Sequence, residues 1–190
     1  MTRSRPPRYF YTGKPGVGKS TIVAAIVEEA KRLGCKVGGI VAPEARFGDR
    51  RIGFRLVDVG RGVEGWLAKT GYPGPRIGRY GVVVKDVERI GVPALRYALR
   101  ECNIIVIDEI GPMELAVPSL GEAIRQALKS RKPLVGVVHR ALRSRHPDIY
   151  KLVARTGRII LVTEDNRGRL LEEAPIVAEE LCAWSGSEGG

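Results

Sequence analysis

Cysteine is scarce in this chain, with three among 190 residues, at positions 35, 102 and 182. An odd, widely spaced set predicts neither a disulfide framework nor a zinc knuckle, and it fits a reducing, cytoplasmic setting. Long apolar runs are also missing. The longest, Ile104–Ile107 and Leu134–Val138, fall well short of the roughly 18 residues that cross a bilayer. The basic start Met1–Pro7 lacks the apolar stretch of a signal peptide, so no membrane partner is expected. Acidic side chains are outnumbered, 21 against 32 basic ones, which leaves a formal charge of +11. The default partner of such an excess is a polyanion. Aromatic residues make up only 6% of the chain, few are interleaved with the basic ones and no recognition module is evident, so nucleic acid is a possible but not a favoured partner. Of the basic residues 23 are arginine, a bias that heat adaptation or codon usage also produces.

What is present is an ordinary globular composition, 44% hydrophobic and 28% charged. The length suits one domain over 1–184, a monomer or weak oligomer, with a disordered tail at 185–190. Apolar spacing predicts a strand at Arg8–Thr12, a helix over Ser20–Leu33 closed by Gly34, and a buried strand at Lys36–Ala42. From about 44 to 85 glycine punctuates period-two segments. This reads as an antiparallel insertion beside the main sheet, with a brief helical piece near Val63–Lys69. Alternation then resumes with helices at Val92–Glu101, Pro118–Lys129 and Pro147–Arg155, and strands at Ile104–Ile107, Leu134–Val138 and Ile159–Val162. A last helix over Gly168–Trp184 is expected to kink or restart at Pro175. The pattern implies an α/β architecture, a mainly parallel sheet with helices on both faces.

Gly13-Lys14-Pro15-Gly16-Val17-Gly18-Lys19-Ser20 matches G-x-x-x-x-G-K-[ST] at every position, between a strand and an amphipathic helix. Such a loop turns backbone N–H groups onto phosphates at a helix N-terminus. Lys19 is then expected to reach the β- and γ-phosphates, Ser20 to ligate Mg²⁺, and Thr21 to belong to the same nucleotide-binding stretch. Ile104–Ile107 leads into Asp108-Glu109, an acidic pair at the end of a buried strand. Asp108 is the second candidate for the Mg²⁺ shell, and Glu109 is the candidate to polarise an attacking water. Glu114 is an alternative or assisting carboxylate. His139 and Arg140, after the strand Leu134–Val138, reach the same sheet edge, and Arg46, Arg79, Arg143 and Arg145 are candidate arginine fingers. Asn166 and Arg167 are candidates to border the base. Asp108-Glu109-Ile110-Gly111 also fits the D-x-x-G of regulatory GTPases. The only asparagines are Asn103 and Asn166, however, and no N-K-x-D accompanies it, which disfavours that class.

These blocks, with Ile107-Asp108-Glu109-Ile110-Gly111-Pro112-Met113-Glu114-Leu115 and Val162-Thr163-Glu164-Asp165-Asn166-Arg167, resemble the small P-loop nucleoside-triphosphatases of thermophiles and their cancer-related animal relatives. Pro43-Glu44-Ala45-Arg46, Arg51-Ile52-Gly53-Phe54 and Ile77-Gly78-Arg79-Tyr80 are similar to that family's middle segment, so the likeness spans about Arg8 to Leu181. The resemblance implies a three-layer, RecA-like P-loop NTPase fold and slow, Mg²⁺-dependent hydrolysis of several nucleoside triphosphates to the diphosphate and phosphate, with weak base selectivity. Two departures stand out. Pro112 occupies a place where the family commonly has lysine, and Pro43-Glu44-Ala45-Arg46 replaces Glu-Glu-Val-Arg. A kinase that uses the same loop on a small molecule or nucleic-acid end is the competing reading. A nucleic-acid-binding protein timed by its nucleotide is a third.

Overall fold

The computed structural model describes residues 5–186. Strand β1 (Arg8–Thr12) leads through the glycine-rich loop into helix α1 (Lys19–Arg32) and strand β2 (Val37–Val41). Five antiparallel strands follow: β3 (Glu44–Phe47), β4 (Arg50–Asp58), β5 (Glu64–Thr70), the two-residue β6 (Arg76–Ile77) and β7 (Tyr80–Val82). A helical stretch comes next, made of α2 (Val84–Asp86), a π-helical turn at Val87–Gly91 and α3 (Val92–Glu101). The chain continues through β8 (Ile104–Ile110), α4 (Pro112–Leu115), α5 (Pro118–Lys129), β9 (Leu134–Val138), α6 (Leu142–Arg145), α7 (Pro147–Thr156), β10 (Arg158–Leu161), α8 (Arg167–Glu172) and α9 (Ala174–Gly186).

All strands join one sheet, in the order β10-β1-β9-β8-β2-β4-β5-β7-β6, with β3 paired to β4. The first five run parallel, and the antiparallel strands continue the same sheet because β4 hydrogen-bonds to β2 at Ile40↔Asp58 and Val41↔Val57. The expected insertion is thus an extension of the sheet, not a piece beside it. Residues 64–70, read from sequence as partly helical, are strand β5. The reason lies across the sheet: Gly65 and Ala68 stand opposite Leu56 and Phe54 of β4, so the run finds its partners by pairing. The C-terminal helix does restart, at Ala174, and α9 carries on through Gly186; the rest of the tail, 187–190, lies outside the described residues.

Period two divides the core into two layers. In β1, Tyr9 and Tyr11 face α1 and α9, while Phe10 faces the other way. In β8, Ile104 and Val106 pack with Ile22, Val23, Ile26 and Leu181, whereas Ile105 and Ile107 pack with Leu95, Leu120 and Ile124. The antiparallel extension buries only one face, where Leu56, Leu67, Ala68 and Val82 meet Val87 and Ile90. Its α1-side face carries the half-exposed Arg55, Val57, Trp66 and Lys69. The cysteine expectation is corrected here. Gly34, at φ +85°, turns the chain after α1 so that Cys35 meets α9, and Cys35 is joined to Cys182 in a disulfide across 147 residues, with α-carbons 6.0 Å apart. Cys102 is free and buried. Among the described residues no helix is long and apolar enough to cross a membrane.

Candidate functional site

β1, β9 and β8 are parallel neighbours, so the loop after β1, His139-Arg140 after β9 and Asp108-Glu109 near the end of β8 meet at one edge of the sheet. This is where open α/β sheets hold ligands. The loop wraps tightly because its glycines take conformations other residues resist. Gly13 has φ +149°, and a Cβ there would lie 2.5 Å from the carbonyl oxygen of Val162. Gly18, at φ +110°, starts α1 without a side-chain cap, which leaves the first N–H groups of the helix facing the loop. Lys19 Nζ folds back and donates to the carbonyls of Gly13 (3.1 Å) and Lys14 (2.7 Å). Ser20 Oγ donates to Asp108 Oδ1 at 3.2 Å.

Three carboxyl groups crowd behind this contact, and burial is the main force on each. It raises Asp108, offset by the Ser20 hydrogen bond and the Lys19 charge. It pushes Glu109 up to about 7, helped by the Asp108 charge and opposed by Lys19. Glu114 stands well above the ordinary carboxylate range, first by burial and then by the charge of Glu109, despite N–H donors from its own backbone and Gly111. Glu109 and Glu114 close around the α-carbon of Gly111: a Cβ there would lie 3.0 Å from Glu109 Oε1 and 3.2 Å from Glu114 Oε2. Pro112 begins α4 and so aims Glu114 inward. His139 is held below its usual range by burial and by the charges of Lys19, Arg140 and Arg145. Its Nδ1 accepts from the N–H of Ala141 at 3.1 Å, so the neutral ring keeps its proton on Nε2.

A cavity of about 970 Å³ opens here, bounded by the loop residues Gly13, Pro15, Gly16 and Gly18 through Thr21, by Asp108, Glu109 and Glu114, and by His139, Arg140 and Arg145. It runs on past Val23 and Val27 of α1 to Val41, Val57 and Val59. Of the four candidate fingers only Arg145 borders it. Arg46 is held by Glu44 at 2.9 Å, Arg79 by the carbonyl of Arg51 and the Tyr80 hydroxyl, and Arg143 is exposed on α6. Asn166 spends both ends of its amide on its own loop: Oδ1 accepts from Thr163 N–H at 2.8 Å and Nδ2 donates to Leu161 O at 2.9 Å. Arg167 instead lies against the loop, its Cδ 3.9 Å from where a Cβ on Gly18 would be. Lys14 and Val17 complete the loop, Val17 N–H reaching back to Lys14 O at 3.4 Å. Arg51 and Phe54, quoted above only as part of a likeness, line the cavity. Their R-x-G-F spacing was the available signal, and it carried no chemistry by itself.

The donor set suits a hard divalent cation. Ser20 and Asp108 offer two oxygens side by side, and Mg²⁺ takes few protein ligands when phosphates and water supply the rest. No group of three or more His, Cys, Asp or Glu side chains among the described residues is arranged to hold a metal alone.

Comparison with known proteins agrees with this geometry. A family model described as NTPase matches residues 8–174. Nucleoside-triphosphatase THEP1 of Pyrococcus abyssi is 42% identical over 166 residues, covering 87% of this chain and 89% of that protein. The Ignicoccus hospitalis protein of the same name is 43% identical over 174 residues, 92% and 96% of the two chains. The crystal structure of THEP1 from the hyperthermophile Aquifex aeolicus superposes with a TM-score of 0.76 at 31% identity, covering 90% of this chain and 99% of its own. The solution structure of a human cancer-related nucleoside triphosphatase does so at 0.72 and 31%, covering 90% and 95%.

Proposed function

Because the chain belongs to the NTPase family and is a nucleoside-triphosphatase, we propose that it hydrolyses Mg²⁺-bound nucleoside triphosphates of any base to the diphosphate and phosphate. The observation that carries this is the 3.2 Å contact of Ser20 with Asp108, with Lys19 and Glu109 next to it in sequence. The backbone of Gly13–Ser20 and Lys19 hold the phosphates, and Thr21 lies in the same helical turn. Ser20 and Asp108 hold Mg²⁺, which when bound neutralises triphosphate charge and polarises the γ-phosphoryl group. Water oxygen bonds to the γ-phosphorus, the bond to the β–γ bridging oxygen breaks, and the water proton passes to Glu109. Burial favours the neutral form of Glu114, which leaves the proton-accepting role to Glu109 with Glu114 positioned beside it. Arg140 borders the cavity beside Lys19 and supplies the positive charge that Pro112, in place of lysine, does not. Loose base selection is consistent with Asn166, whose amide is held at both ends by its own loop and is not aimed by it at a base edge.

The direct test is phosphate release from ATP, GTP, CTP and UTP, with Mg²⁺ and with excess chelator. Specificity constants are expected to agree within about tenfold, since a site without committed polar readers discriminates weakly, and chelation should abolish turnover. A single base favoured several hundredfold would reject the broad specificity. The pH profile provides a second check. Glu109 accepts a proton only when ionised, so kcat/KM should rise through the region near pH 7 and flatten above it. Arg140→Ala is expected to lower kcat by about tenfold to hundredfold with KM little changed. This is less than a buried donor would cost, because Arg140 is exposed.

The valine-walled arm of the cavity beyond the phosphates favours a second reading, transfer to a small molecule or nucleic-acid end. Phosphate release without any acceptor at the rate of nucleotide loss would argue against it.

A further inference from the structure

The open face of the antiparallel extension has chemistry that triphosphate hydrolysis does not use. We propose that this face, centred on β4 and β5, binds single-stranded nucleic acid. Residues 44–85 hold nine basic side chains against four acidic ones. Arg55 stands opposite Trp66 in the strand register, its Cζ 4.6 Å from the indole centre. Lys69 Nζ lies 5.0 Å from the same ring and 5.8 Å from the ring of Tyr72. The indole rests on bare backbone, since a Cβ on Gly53 would come within 3.1 Å of its Cζ3. Cation and aromatic ring therefore alternate along a row, Arg55, Trp66, Lys69, Tyr72. The acid paired with Arg55, Glu64, is 3.7 Å from it with its side chain 58% exposed, too solvated to tie the guanidinium down.

A single strand presents that same alternation, phosphates between bases that each offer a π-face. A duplex hides its bases and would meet the cations alone; an acidic peptide would leave the rings unused. The β3–β4 tip at one end of the face adds Phe47, 80% exposed, between Arg46 and Arg50. At the other end Val57, two residues beyond Arg55 on β4, lines the cavity that contains Lys19 and Ser20. A bound strand thus runs toward the triphosphate pocket. Read along the chain the aromatics and basic residues look scattered; sheet pairing assembles them.

The test is fluorescence anisotropy of the full chain with a labelled 20-nucleotide RNA of mixed sequence, without nucleotide, at 50 and 200 mM salt. Three to four phosphate contacts predict an affinity loss of about 20- to 50-fold across that range. Trp66→Ala should weaken binding about tenfold or more, and Lys69→Gln should weaken it and flatten the salt dependence. Triphosphate hydrolysis in the absence of RNA should stay at the parental rate in both, which shows that both variants are folded. Undetectable binding at 50 mM salt would overturn the proposal. So would duplex RNA or poly-glutamate binding as tightly as the single strand, or affinity unchanged by Trp66→Ala in a variant that hydrolyses normally. Because the readout is binding, it fails independently of the hydrolytic assignment.

Discussion

Glu109→Gln is expected to lower kcat by about 10²–10⁴-fold while nucleotide affinity stays near parental, the range that positioned proton acceptors contribute. The amide keeps the shape of the side chain and loses the ability to take the water proton. The proposed phosphate contacts, from the loop after β1 and Lys19, lie at a different strand end and should be undisturbed. Single-turnover phosphate release together with equilibrium nucleotide binding separates the two effects. Turnover near the parental rate would move the role to Glu114, whose oxygen faces the same α-carbon of Gly111.

The same substitution should stabilise the protein above neutral pH. Glu109 binds its proton more tightly folded than unfolded, so folding is favoured most below about pH 4.5 and progressively less as pH rises to about 7. Glutamine carries no such penalty. The melting temperature of Glu109→Gln should therefore exceed the parental value at pH 8, with the gap shrinking toward pH 5. Lost turnover with gained stability would mark a residue kept for chemistry at a structural cost.

Breaking the Cys35–Cys182 bond is the second large effect. The bridge closes a loop of 147 residues, and the chain-entropy account assigns such a loop about 5 kcal/mol, with measured bridges more often giving 2–4. At this chain length each kcal/mol moves the midpoint by roughly 2–4 °C, so reductant or Cys182→Ser should lower the melting temperature by about 10 °C. Calorimetry with and without a phosphine reductant reads this directly, and the Cys182→Ser variant should be insensitive to the reductant. An unchanged midpoint in both would mean that the two thiols are not joined in the folded protein. Activity at moderate temperature should persist in the reduced form, because the bridge sits at the far end of α1 from Lys19 and Ser20, about 18 Å along the helix at 1.5 Å per residue.

The parts legible in the sequence were those written in local order. The loop from Gly13 to Ser20 needs only its own glycines and the helix behind it. Pro118–Lys129 and Leu134–Val138 follow from periodicity and recur with the same bounds. What could not be read depends on partners far along the chain. β5 is a strand because β4 and β7 flank it. The cysteines pair because one glycine turn aims Cys35 at α9. Arg46 and Arg79 are as basic as Arg145 in the sequence, and only their neighbours separate them: a glutamate for one, a carbonyl and a phenol for the other. Asn166 is a free polar residue in the sequence, whereas in the fold its loop holds both ends of the amide.

The strands at the two ends of the sheet order are short. One is β6, two residues directly after Pro75; the other is β10, four residues with Arg158 at its start and Leu161 at its end. A sheet this wide concentrates its risk of self-templating at such borders, to which the free side of the four-residue β3, paired to β4 alone, adds a third, where unpaired N–H and C=O groups invite a foreign strand. Here those borders offer a few ladder positions at most, beside a proline at β6 and an arginine at β10. Concentrated solutions of the folded chain should accordingly resist fibrillar growth, leaving partially unfolded forms as the route to aggregates.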